Sequence, residues 1–253
     1  MKSRKRLVML LIASLTLAFA SAAWAQTSMP LPKISIGLDQ ARTPQDVSLS
    51  LQILFVLTIL SLAPALLIML TSFTRIIIVL SFTRSALGTQ QVPPNSVLVG
   101  LALFLTFFTM GPIWQNINVQ AVQPYLRHEI TFDQGMDRTM GPLRDFMFRQ
   151  TRERDLALFV KLAHQGRPRT PADVQTHVLV PAFLISELKT AFTIGFVIFV
   201  PFLVMDMIVS MTLMSMGMMM LPPVLISLPF KILLFVLVDG WHLIAQSIAL
   251  SFR

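Results

Sequence analysis

Four stretches of this chain are apolar over the length a helix needs to cross a bilayer, and that constrains the fold more than any other feature. They run from Leu51 to Leu70, Ser96 to Trp114, Phe183 to Met205 and Val224 to Ile248. A spanning helix needs about 20 largely apolar residues to cover a hydrocarbon core about 30 Å thick. Composition agrees: 55% of the 253 residues are hydrophobic, 13% are charged, and the mean hydropathy is +0.72. Such a chain is too apolar for a soluble domain. The expected fold class is all-α: a helical membrane protein with about four hydrophobic segments and an amphipathic helical region between them.

Proline interrupts these segments. Pro64, Pro112, Pro181, Pro201, Pro222, Pro223 and Pro229 lie within or beside them. Broken helices at membrane depth are tolerated where protein or an aqueous cavity surrounds them. The expectation is that these helices face other subunits, with ordinary kinks in a small permease as the alternative. Ionisable groups interrupt them too. Glu187, Asp206, Lys231 and Asp239 lie inside or at the edge of apolar runs. A charge facing hydrocarbon costs at least ~2.5 kcal/mol, so such groups pair or face a cavity. An ion pair between Glu187 and Lys231, within or between subunits, is expected, unless Lys189 and Lys231 merely snorkel to an interface. Asp206, set among Phe202, Leu203, Val204, Met205 and Met207, needs a partner or water. Asp239 is a second candidate buried acid.

Residues 1–25 read as a cleavable secretory signal. Lys2, Arg4, Lys5 and Arg6 precede an apolar run, and Ala23-Trp24-Ala25 supplies small residues for cleavage between Ala25 and Gln26. An uncleaved first anchor is the alternative. Residues 26–50 form an exported polar segment, 51–114 a first hydrophobic hairpin, 115–180 a polar helical region and 181–253 a second hydrophobic hairpin. Phe73 to Ser85 either continues the first helix past a bend or folds back on it. Arg75 and Arg84, with no acid beside them, place that connection in the cytoplasm by the positive-inside rule, and the N-terminus and long loop in the periplasm. The loop holds nine Lys/Arg and seven Asp/Glu. Within it, Leu143, Phe146, Met147, Phe159, Val160 and Leu162 fit an amphipathic helical pair.

Eight of the sixteen methionines fall between Met205 and Met220. Methionine packs against many shapes without demanding one. Met207, Met211, Met214 and Met218 share one helix face, and Met218 to Met220 follow Gly217 as a loop or frayed end. A dense cluster here suits a surface that seals around something variable and then opens.

The sequence also narrows the chemistry. Cysteine is absent, so disulfides and thiolate chemistry are excluded. His128, His164, His177 and His242 have no ligand-like spacing, so no metal site is expected. No phosphate-binding loop, dinucleotide loop or nucleophile elbow is present, and no cofactor or catalytic residue is assigned. The net charge of +8, half of it in the leader, is too weak for nucleic acid. Two other readings stay open. One is a copper(I) transporter built on Met207 and Met211. The other is a proton-coupled permease using Asp206 and Asp239.

Five segments carry a resemblance: FTRIIIVLSFTRSALGTQQVPPN from Phe73 to Asn95, PAFLISELKTAF from Pro181, PFLVMDM from Pro201, MSMGMMMLPP from Met214, and ISLPFKILLFVLVDGW from Ile226. Together they resemble the FliP family of type III export proteins over essentially the whole mature chain. The leader and long polar loop favour its flagellar branch over the injectisome branch. The resemblance implies a core subunit of an export gate, about five copies of which assemble into a ring-like helical complex with FliQ and FliR. It implies FlhB, FlhA, the assembly factor FliO and the MS ring as further partners, and unfolded flagellar proteins as cargo. Part of the complex would sit above the usual membrane plane. The family's gasket loop corresponds to Met214, Met216, Met218, Met219 and Met220, and its intersubunit contacts correspond to Phe146 and Phe159. Met205 and Met207 depart from the family's aliphatics.

Overall fold

A computed structural model describes residues 44–253 other than 90, 165, 167, 219 and 253. The expected leader, its Ala25–Gln26 junction and Met219 lie outside the described residues. Every regular element described is helical. In chain order these are α1 (Pro44–Leu70), α2 (Phe73–Ala86), α3 (Asn95–Thr109) and α4 (Gly111–Ile117). A π-helical turn (Asn118–Val122) leads into α5 (Gln123–Leu126). Then come α6 (Phe132–Gln150), α7 (Glu153–Leu162), a 3₁₀ turn (Pro171–Asp173), α8 (Thr176–Ser215), α9 (Pro223–Leu237) and α10 (Gly240–Leu250).

Two apolar clusters hold residues 54–253 together. The first joins α2, α3, α8, α9 and α10 through Ile76, Val79, Leu80, Leu98, Ala102, Ala191, Phe202, Phe235, Ile244 and Ile248. The second joins α4, α6, α7 and the start of α8 through Met110, Leu143, Phe146, Met147, Val160, Leu179 and Phe183. Helix α8 runs through both and is the axis of the fold. Its closest neighbour is α2, and Gly195 makes this approach work. A Cβ built there would lie 2.6 Å from the Phe82 ring.

Helix α8 departs from the expected span at both ends. It begins seven residues before Phe183, at Thr176, and continues through most of the methionine run to Ser215. Pro181 and Pro201 sit inside it without ending it. A proline removes one donor and bends a helix, but neighbouring packing carries the chain through. At 1.5 Å per residue, forty residues reach about 60 Å, roughly twice the hydrocarbon thickness. A single crossing therefore leaves much of α8 outside lipid.

Among the described residues α8 is the one helix long and apolar enough to cross a membrane unaided. The other candidate crossings are bent pairs. Helix α3 meets the α4–α5 segment at 58°, and α9 meets α10 at 64°. The second bend has a local cause: Asp239 adopts a left-handed conformation (φ 51°) between the two helices. Helix α1 carries the first hydrophobic segment to its expected end at Leu70, and α2 starts anew at Phe73.

The polar region folds as the amphipathic pair anticipated in sequence. Helix α6 opens with a reciprocal capping box: Gln134 N–H donates to Thr131 Oγ1, and Thr131 N–H donates to Gln134 Oε1. Leu143, Phe146, Met147 and Val160 are buried, whereas Leu162 is exposed. The following 3₁₀ turn is tied by Asp173. Backbone N–H groups of Thr170 and Arg169 donate to its carboxylate and hold it below the usual aspartate range.

Candidate functional site

The methionine-bearing hairpin is formed by the end of α8, the turn Met216–Pro222 and the start of α9. Glycine shapes its turn. Gly217 has φ +75°, a region only glycine enters freely. The N–H of Met218 donates to Leu213 O, and that of Gly217 to Met214 O. This paired pattern is a Schellman motif, which stops α8 and satisfies its last carbonyls. Pro223 then occupies the first position of α9, where its missing N–H costs nothing.

The methionines of this hairpin lie on its outside. Met207, Met211, Met214, Met216 and Met218 are exposed, and Met220 is 99% exposed. Leu221, Val224 and Leu225 continue the apolar surface. Among the described residues these thioethers stay exposed, open to a neighbour, a lipid or a passing chain.

Below the tip sits a buried polar cluster. Lys231 Nζ lies 2.5 Å from Asp206 Oδ2, and Ser227 Oγ donates to Asp206 Oδ1 at 2.5 Å. Ser227 and Lys231 are buried, and Asp206 is partly exposed. Lys231 Nζ also stands 3.8 Å from an ideal Cβ at Gly88, just past the C-terminus of α2. The negative end of that helix favours an ammonium. Gly88 itself has φ +76°, so backbone strain disfavours any other residue there.

A second buried charge cluster lies further up α8. The Arg75 guanidinium pairs with both oxygens of Glu187, with Nε at 2.9 Å from Oε2. It also donates to Ser251 O at 2.7 Å, Ser251 Oγ at 3.0 Å and Gln150 Oε1 at 2.9 Å. The Phe252 ring lies 4.0 Å beneath its carbon. One arginine therefore joins α2, α6, α8 and the C-terminal end of the chain. Its forked donors suit this role in a way a lysine cannot match.

These contacts correct two expectations. Glu187 and Lys231 do not pair within the chain, because each has another partner at closer reach: Arg75 for Glu187 and Asp206 for Lys231. Arg75 is not a loop charge available to set topology, since it is 2% exposed and fully engaged. In sequence Arg75 has no acid beside it, so its role as a buried hub has no local signal. Yet an arginine inside FTRIIIVL is as anomalous as the acids that did draw notice. Its partners lie between 75 and 176 positions away, which no local periodicity reveals.

The remaining sequence candidates separate. Asp239 is exposed at the α9–α10 bend. Phe146 is buried in the chain's own core, edge-on to Phe183 at 5.8 Å, which is the local-packing alternative. Phe159 is half-buried against the same cluster. No group of three His, Cys, Asp or Glu side chains that could hold a metal occurs among the described residues.

Comparison with known proteins supplies the context. The FliP family profile matches residues 56–248. A flagellar biosynthetic protein FliP from Bacillus subtilis is 54% identical over 217 residues, covering 86% of this chain and 98% of that protein. One from Pectobacterium carotovorum is 50% identical over 240 residues, covering 93% and 90%. One from Aquifex aeolicus is 43% identical over 242 residues, covering 95% and 99%. The match takes in α2, α8, the methionine hairpin, the Asp206–Ser227–Lys231 cluster and the Arg75–Glu187 pair, and the chain belongs to the FliP family.

Proposed function

We propose that this chain is a pore-forming subunit of the flagellar protein export gate, in which several copies bring their methionine hairpins together as a compliant seal. The observation that carries this reading is the exposed apolar tip. Met214, Met216, Met218 and Met220 are exposed at and beside a glycine-shaped turn. A ring of such tips forms an apolar constriction that dewets against ions, yet yields to an unfolded polypeptide. Family membership supports the flagellar setting, since the relatives carry the name flagellar biosynthetic protein.

On this reading the chain performs no catalysis. Its partners are other copies of itself and the family's companions FliQ, FliR, FlhB, FlhA and FliO, within the basal body of the inner membrane. Met207 and Met211 lie exposed on α8 and continue the apolar surface of the hairpin. Asp206 is engaged by Lys231 and Ser227, which leaves it poorly placed to relay protons.

The test is conductance of the assembled complex in the inner membrane. Replacing Met216, Met218 and Met220 by alanine removes the thioether bulk and should let small ions leak. Conductance at the wild-type level, with the complex assembled in normal amount, would contradict the seal.

A further inference from the structure

The Asp206–Ser227–Lys231 cluster has a position that its chemistry alone does not explain. It bridges α8 and α9, the two arms of the methionine hairpin, nine residues before α8 ends and four to eight after α9 begins. At 1.5 Å per residue that is roughly 14 Å from the tip on the α8 side. Between the cluster and the turn the hairpin buries little. Met207, Ile208, Met211 and Met214 are exposed on α8, as are Val224, Leu225 and Ile226 on α9. Leu213 and Ser227 are the buried side chains there among the described residues. Segments with so few buried apolar contacts open at low free-energy cost unless a specific contact holds them.

We propose that the Asp206–Ser227–Lys231 cluster is a latch. It holds the two arms in register, and its release lets the methionine tip splay. The inference rests on the reading of the hairpin as a seal and adds what controls it. Well-packed aliphatic side chains at 206 and 231 would hold two apolar helices at least as firmly as an ion pair, because burying charge costs desolvation. What aliphatic packing does not supply is a fixed register that breaks as a unit. A charge pair in a low-dielectric layer is either made or not made. The partial exposure of Asp206 gives it a route to another partner on opening. The end of α2 at Gly88, standing over Lys231 Nζ, retains the ammonium when the carboxylate leaves.

Because the chain contains no cysteine, spin labels can be placed at will. The labels go on the exposed positions Met211→Cys and Leu225→Cys in the full complex, with labelled copies diluted by unlabelled ones. The wild-type cluster should give a narrow distance distribution. Asp206→Asn and Lys231→Met should each broaden it and move it to longer distances. The exchanged pair, Asp206→Lys with Lys231→Asp, should narrow it again. Ion leak through the same complexes should rise with either single change, toward the level of the methionine-to-alanine variant. An unchanged distribution in both single variants, in a complex of wild-type mass, overturns the latch. If the methionine variant leaks while these two stay sealed, the latch fails and the seal stands. If none of them leaks, both readings fail.

Discussion

Arg75 concentrates more of this fold in one side chain than any other described residue. Its two bonds to Glu187 satisfy charge against charge, and its remaining donors are taken by Ser251 and Gln150. Such a pair adds modest net stability when whole but is costly to break, because the surviving charge stays buried. Removing one partner of a buried pair typically costs about 3–5 kcal/mol. Glu187→Ala should therefore lower the thermal midpoint of the detergent-solubilised chain by several degrees. Arg75→Lys should lower it too, because an ammonium cannot reach Glu187, Gln150 and Ser251 at once. Equal midpoints for Arg75→Lys and the wild type would show that the forked geometry contributes nothing. Lys231 and Asp206 obey the same arithmetic nearer the tip.

At the scale of elements, the contact that matters most is α2 against α8. It is set by a void: Gly195 leaves room for the Phe82 ring, which stacks edge-on to Phe192 at 5.2 Å. Gly195→Val should push the helices apart and reduce the amount of assembled complex. Phe82→Ala in the same chain should restore part of the loss, since it vacates the space the valine needs. Failure of that rescue would mean the helices are held apart by something other than this ring. This scale is also where sequence and structure part. Helix type, the amphipathic pair at Leu143–Val160 and the methionine turn at Gly217 were legible, because each has a local signature: period, capping or a residue with unusual backbone freedom. Helix α8 was not. Its first turn reads as loop because Thr176 and His177 precede the apolar run, and its prolines read as breaks. Partner choice for Glu187 was not legible either. It depends on which helices meet, and α2 reaches α8 across 112 positions.

At the scale of the whole molecule, the described residues present more apolar surface than they cover among themselves. Leu54, Phe55, Leu60 and Leu66 of α1 are exposed, as are the outer faces of α3, α8 and α9, Phe104, Phe107 and Phe108 among them. Soluble monomers rarely tolerate such patches. Lipid accounts for part of this surface. Yet α8 is about twice as long as a bilayer is thick, so part of its apolar face requires protein. Both buried charge clusters are satisfied internally, so neither needs a partner chain to complete it. The proposed function requires that the chain work in several copies around a common axis. The direct measurement is the native mass of the complex, extracted gently from the inner membrane through a tag on this chain. The proposed gate should yield a discrete assembly holding about five copies together with small membrane partners, as expected for a closed ring. A lone monomer or dimer under equally mild extraction would contradict it.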